Sequence, residues 1–292
     1  MSLYPSYARP ASLAQASALL ASLTAGGVII AGGQELMPSV NRGVLAPEVY
    51  VDIGGLAELR GIAETSEGLV SIGALTVHRT LQTDPLVGRA LPLLAHAATR
   101  AGGGRQVHNR GTIGGNLVAQ HPLYDLAPSL LALEAQVEWV KDGETVRQPL
   151  AAMLADSRHG LGTEAILTRV LVVPMAEGLG WAYVKLKASG GAYGSANAAA
   201  LVRLRDGAVA SVRLVVGAVA DRLIDASTVA DGLLVGRSFN RAGGEALADA
   251  VSGLVTEPLS DAQGEGPWRR AMAGVVARRA VEQAIGRAAG HG

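Results

Sequence analysis

The sequence predicts an α+β protein: a glycine-rich mixed region followed by a smaller part with a three-stranded antiparallel sheet and terminal helix. Three observations predict it. Up to residue 174, short apolar runs of strand length alternate with segments of helical periodicity. After Pro174 the pattern changes to strand-like runs joined by tight turns, then to a helical repeat. Glycine supplies 38 of the 292 residues, nearly twice the usual share of roughly 7%, and gathers in doublets between well-patterned segments.

Taken in order, Ser12 is placed to cap a helix whose apolar positions Leu13, Ala16, Leu19, Leu20 and Leu23 recur at helical spacing. Gly26 and Gly27 are expected to end it. Residues 28–31 form a short buried strand running into Gly32 and Gly33, and Pro38 blocks a long helix directly behind. Further strands are expected at 49–53 and 69–74, and helices at 77–82 and 86–100, with Pro92 at a start or kink. Residues 102–115 are expected to be loop-rich, and a short helix follows over 124–133, beginning near Asp125. Residues 137–140 and 145–148 fit a hairpin turning at Asp142 and Gly143. A mostly apolar strand over 166–173 stops at Pro174. Beyond it, strands are expected at 181–186, 198–205 and 209–219, the last two joined by Asp206 and Gly207. Val281, Ala284, Ile285 and Ala288 share one face of a closing helix.

Composition excludes several functions. Lys plus Arg number 25 and Asp plus Glu 25, without the basic excess of a nucleic-acid binder. Cysteine is absent, so disulfides, thiolate catalysis and cysteine-ligated iron–sulfur clusters are excluded on this chain. Residues 1–10 lack the basic and apolar regions of a leader, and the apolar run at 166–175 is too short to span a bilayer and contains Thr168 and Arg169. The expectation is a soluble cytoplasmic protein. His78 and His121 invite an acid–base role, but isolated histidines more often serve as hydrogen-bonded structure.

The glycine doublets carry the chemistry. A buried strand delivers Gly32 and Gly33 at its end, where successive amides could face one concavity and bind phosphate oxygens. A tight turn after the strand explains the same residues. The G-x-G-x-x-G fingerprint of dinucleotide-binding βαβ units is absent, as is the Gly-Lys-Ser/Thr of a phosphate loop. A second loop, residues 106–116, places Thr112 and Asn116 beside Gly114 and Gly115, with a hydroxyl and an amide to offer to a phosphate or ribityl oxygen. Two such loops could clamp a diphosphate from two sides, through main-chain amides rather than a cationic cluster.

The strings AGGQELMP (31–38), VDIGGLAELRGI (51–62), IGALTVHRTL (72–81), QVHNRGTIGGNL (106–117) and YDLAP (124–128) resemble the FAD-binding medium subunits of the xanthine dehydrogenase and carbon monoxide dehydrogenase group. The resemblance runs in order through about residues 1–220. It implies a two-subdomain FAD-binding fold of the vanillyl-alcohol oxidase and p-cresol methylhydroxylase type, over 1–57 and 58–176, and a C-terminal α+β domain over 177–292. It further implies FAD held between the glycine loops. Val28, Ile29, Ile30, Ala31, Gly32, Gly33, Gln34, Glu35 and Leu36 form one wall; Thr112, Ile113, Gly114, Gly115 and Asn116 form the other, with Gly102 and Leu171 as further lining. Asp125 would accept from FAD hydroxyls, or cap the following helix. A lysine is expected near the flavin pyrimidine edge. Lys185 and Lys187 alternate along one strand, so only one points inward, and Lys185 is preferred. Both could instead be solvated. Tyr193 would pack on the isoalloxazine, or in the core.

Departures are His108 where the group usually has arginine, Ala192 where an acidic residue is common, and the run Ala119, Gln120, His121, Pro122 after the second loop. The resemblance implies an electron-transfer subunit that takes electrons from [2Fe-2S] clusters on a small partner, with a molybdenum cofactor on a large partner, assembled as a dimer of heterotrimers. A self-sufficient flavin-dependent oxidase or reductase is the alternative. A non-catalytic nucleotide-binding scaffold is a third.

Overall fold

The computed structural model describes residues 5–23, 27–156, 164–187 and 193–290. Gly26 and Ala192, singled out above, lie outside them, as does the glycine doublet Gly190 and Gly191. The chain divides into two compact units that interleave in sequence: Met1–Leu81, Arg105–Gln120 and Glu134–Val173 form the first, and Gln82–Gly104, His121–Leu133 and Pro174–Gly292 the second.

The first unit contains two sheets. In the smaller, the central strand Val49–Asp52 pairs in parallel with Ser6–Ala8 and Gly27–Ile30. The helix Leu13–Ser22 turns Ala16 and Leu20 into a core with Val51, Ile53, Leu56 and Leu59. Ser12 caps that helix as expected, its side chain accepting from the Gln15 amide at 3.2 Å. The larger sheet is antiparallel, in the order Ile62–Glu64, Val70–Gly73, Ile166–Val172, Gln136–Lys141, Glu144–Pro149. Its hairpin turns at Asp142 and Gly143 with φ of 51° and 80°, the mirror-image turn that matches strand twist.

The second unit is built on an antiparallel sheet in the order Ile224–Asp225, Ala208–Gly217, Ala196–Arg205, Gly180–Leu186. It has four strands, not three. The added edge strand is two residues long, too short for any periodicity to betray it. The helix Gly266–Ala288 packs across the sheet, presenting Ala273, Val276, Ala277, Ala280, Val281 and Ala284. Those small side chains meet Ala198, Ala200 and Val202, which is where the chain's alanine goes.

Over 86–100 the chain forms two helices, Pro85–Ala90 and Pro92–Arg100; of the two placings expected for Pro92, the start is the one found, because it has no N–H to continue the first helix and opens the second. One further expectation is corrected. Residues 102–115 are not mainly loop: they contain the helix Gly104–Arg110 and the start of Ile113–Ala119. The glycines concealed them, since glycine weakens helical propensity without forbidding a helix fixed by its surroundings. Pro38 sits inside the six-residue helix Leu36–Asn41, within the first turn that tolerates it.

Candidate functional site

In the first unit, Ile30 ends its strand with its carbonyl accepting from the Ile53 amide at 3.0 Å. The chain then turns through Ala31, Gly32 and Gly33, and Gly33 takes φ of 71°, a left-handed conformation that glycine adopts at little cost. Among the described residues, the amides of Gly32, Gly33 and Gln34 donate to no backbone carbonyl. A Cβ on Gly32 would stand 2.0 Å from the Arg110 carbonyl oxygen, so the two glycine loops touch and only hydrogen fits there.

The second loop uses its donors differently. Thr112 caps the helix Ile113–Ala119, its Oγ1 accepting from the Gly115 amide at 3.1 Å. The Gly114 amide donates to the Ala74 carbonyl at 2.9 Å and the Ile113 amide to Thr76 at 2.9 Å. A Cβ on Gly114 would lie 2.8 Å from that of Ala74. The second doublet therefore permits close packing, and its amides are already engaged within the fold. The buried Asn116 carboxamide oxygen has no hydrogen-bond partner among the described residues.

Together the loops border a cleft of about 330 Å³. Of the sequence-predicted residues, Ile30, Ala31, Gly32 and Thr112 line it. Val28 and Ile29 lie in the strand leading to it, and Gln34, Glu35 and Leu36 lead into the next helix. Leu171 is buried in the five-stranded sheet, opposite Ser71 and Gln136, and does not line the cleft.

Sequence reasoning missed much of the lining of this cleft. Tyr7, Arg9, Asp52, Arg60 and Asn109 line it, and Arg110 adds another guanidinium. Asp52 organises this corner: its carboxylate accepts from the Gly54 amide at 2.8 Å and the Tyr7 hydroxyl, and Arg9 stands 3.2 Å away. That contact with Asp52 raises the Tyr7 phenol above its ordinary range. Arg60 donates to the Gly54 carbonyl at 2.7 Å. Asp52 and Arg60 stand inside the string 51–62, which was the available signal; for Tyr7 and Arg9, strand pairing with residues 49–51 supplies the proximity.

His78 lies behind the second loop. Its amide donates to the Gly111 carbonyl at 3.0 Å, and a Cβ on Gly111 would touch its ring. Among the described residues, neither ring nitrogen has a hydrogen-bond partner in ordinary geometry. Burial first, and then the charge of His108, lower its pKa to about 4, with the Thr112 backbone opposing in part.

The remaining predicted residues fall in the second unit. Asp125 precedes the helix Leu126–Ala132 but its side chain does not cap it. Instead its carboxylate accepts from the Tyr183 hydroxyl at 2.7 Å and the Lys185 ammonium at 2.9 Å, and from the Gly102 amide. Lys185 also donates to the Arg100 carbonyl at 3.0 Å. Burial pushes the Asp125 carboxyl up, opposed by Lys185, Tyr183 and Gly102; it pushes Lys185 down, opposed by Asp125. Lys185 is the inward lysine and Lys187 is exposed. Tyr183, two residues before Lys185 on the same strand face, is the partner that alternation could have supplied. Tyr193 is 40% exposed, so it is no core residue, and stacks on His121 with ring centroids 5.4 Å apart. His121 is hydrogen-bonded structure, its Nδ1 accepting from the Leu123 amide at 3.2 Å.

Among the described residues, no helix is long and apolar enough to cross a membrane, and no cluster of side chains could hold a metal ion. Residues 3–175 match the family described as FAD binding domain in molybdopterin dehydrogenase, and residues 181–284 the CO dehydrogenase flavoprotein C-terminal domain. The carbon monoxide dehydrogenase medium chain of Hydrogenophaga pseudoflava is 35% identical over 286 residues, covering 97% of this chain and 98% of that one. The medium chain of the same enzyme from Afipia carboxidovorans is 31% identical, with 97% of each covered. A solved structure of the Hydrogenophaga pseudoflava carbon monoxide dehydrogenase, which lacks the Mo-pyranopterin moiety of its molybdenum cofactor, superposes with a TM-score of 0.92 at 33% identity, over 98% of this chain and 99% of that one.

Proposed function

Because this chain belongs to the FAD-binding medium subunits of the carbon monoxide dehydrogenase type of molybdenum hydroxylase, we propose that it receives electrons from [2Fe-2S] clusters on a small partner and passes them to an external acceptor. The molybdenum cofactor and substrate chemistry are assigned to a large partner, with the complex a dimer of heterotrimers. The division of labour is supported by the absence of cysteine, which leaves this chain unable to ligate such clusters through thiolates.

The residues present fit FAD. Its diphosphate needs donors, and the cleft supplies the Gly32 amide, which donates to no carbonyl of the described residues, together with Arg9, Arg60 and Arg110, with the Gly33 amide next along the chain. The Thr112 hydroxyl accepts from Gly115 and keeps its own proton to donate. The orphaned Asn116 oxygen is an acceptor for a ribityl or ribose hydroxyl. Ile30, Ala31, Leu75 and Val77 give the cleft apolar wall. FAD, when bound, supplies the one- and two-electron redox chemistry; the chain's task is to hold it and set its surroundings. Gly102, Asp125 and Tyr193 in the second unit stay within this reading as cofactor residues, as do the segments 1–57, 58–176 and 177–292 as its structural parts.

The observation that carries the reading is the contact of Gly32 with Arg110 beside amides that no carbonyl uses. It is tested by purifying the native complex and recording its absorbance. Stoichiometric flavin on this chain, reduced by the complex's substrate only when the iron–sulfur partner is present, is the expected result. Flavin that turns over substrate on the isolated chain would contradict the assigned division and favour a self-sufficient oxidase or reductase.

A further inference from the structure

Lys185 is the strand lysine expected to put positive charge beside the flavin, yet its ammonium is enclosed. Its side chain is 0% exposed, with one donor on Asp125 at 2.9 Å and another on the Arg100 carbonyl at 3.0 Å. Asp125 accepts from Lys185, from the Tyr183 hydroxyl and from the Gly102 amide. A carboxylate offers about four lone-pair directions, so roughly one remains. A buried carboxylate deprived of the ammonium it is paired with would protonate more readily, because desolvation disfavours the charged form.

We propose that Lys185 and Tyr183 are positioning residues for Asp125. They hold its carboxylate charged and fixed, with one direction left for a hydroxyl of the flavin nucleotide and with the Gly102 turn tied to it. Lys185 and Asp125 act as a neutral unit, so the lysine does not set the potential of the flavin ring. The inference rests on the FAD-binding reading above. The other charged groups felt at this network are Arg100, from the end of the helix Pro92–Arg100, and Lys187, beyond the strand Gly180–Leu186. Lys187 is exposed.

The test uses the full chain in its complex, with Lys185→Met, Lys185→Arg, Tyr183→Phe, Asp125→Asn and the double variant Lys185→Met with Asp125→Asn. Expected are a tenfold or greater loss of FAD affinity in Lys185→Met, rescue in Lys185→Arg, and a smaller loss in Tyr183→Phe. The double variant should bind FAD no worse than Asp125→Asn alone, and the flavin retained by Lys185→Met should keep its reduction potential. Normal affinity with a shifted potential in Lys185→Met would overturn the inference, as would losses that add in the double variant.

A second measurement needs no flavin. In the apo complex, the melting temperature of Lys185→Met relative to wild type should fall as pH rises from 5 to 8, as the unpaired Asp125 ionises, and Asp125→Asn should abolish that slope. A pH-independent difference would overturn the inference. A wild-type chain that takes up no FAD would sink the function reading, while these melting curves still decide the role of the pair.

Discussion

The two glycine doublets look alike in sequence and do different work. Among the described residues the Gly32 and Gly33 amides donate to no backbone carbonyl, and Gly33 uses a left-handed φ that few other residues accept. Gly114 and Gly115 direct theirs inward, to Ala74 and to Thr112, and let one helix approach its neighbour closely. A doublet therefore reports that backbone comes close to something. It does not report whether that is a ligand or another piece of the chain. The difference also corrects the idea of a symmetric amide clamp: one doublet can donate, and the charge on the cleft includes Arg9, Arg60 and Arg110.

Substitutions can break this contrast. Gly32→Val should have the largest effect on cofactor, because its Cβ meets the Arg110 carbonyl and its branches would fill the cleft. FAD affinity should fall by a factor on the order of a hundred or more, equivalent to at least about 3 kcal/mol, read from flavin absorbance after gel filtration. Acid should act on the other loop. The unfolded state takes up a proton at His78 near its ordinary pKa, whereas the folded state resists until about pH 4. The stability this contributes is complete above about pH 6.5 and is lost as pH falls towards 4, by about 3 kcal/mol at most. Melting temperatures across that window should fall less steeply in His78→Gln than in wild type.

Gly114→Val should cost stability rather than affinity. Overpacking against Ala74 is worth about 1–3 kcal/mol, read by denaturant unfolding, with FAD bound normally by the folded fraction. Thr112→Ala should cost about 1 kcal/mol through the lost helix cap, with Thr112→Ser close to neutral. Melting curves in saturating FAD would separate that loss from one of binding.

The sequence made the local chemistry readable where a single segment decides it. The cap at Ser12, the turns at Asp142 and Asp206, and the strand before Gly32 each follow from neighbouring residues. The two-residue strand Ile224–Asp225 and the short helices around Gly104 and Ile113 did not, since tertiary packing fixes them against weak propensity. The site divides in the same way. Gly32, Thr112 and Asp125 stood in recognisable strings, but the partners of Asp52 and Asp125 come from strands distant in sequence. Tyr7 reaches Asp52 only through parallel pairing, and Tyr183 reaches Asp125 across 58 positions. No window along the chain contains such pairs.

The most direct measurement is amide NMR of the chain labelled with ¹⁵N-glycine, before and after FAD is added. The account predicts that the Gly32 and Gly33 amides exchange readily in the apo chain, then shift and become protected, while Gly114 and Gly115 are protected throughout and move little. Shifts confined to Gly114 and Gly115, with Gly32 and Gly33 unchanged, would contradict it.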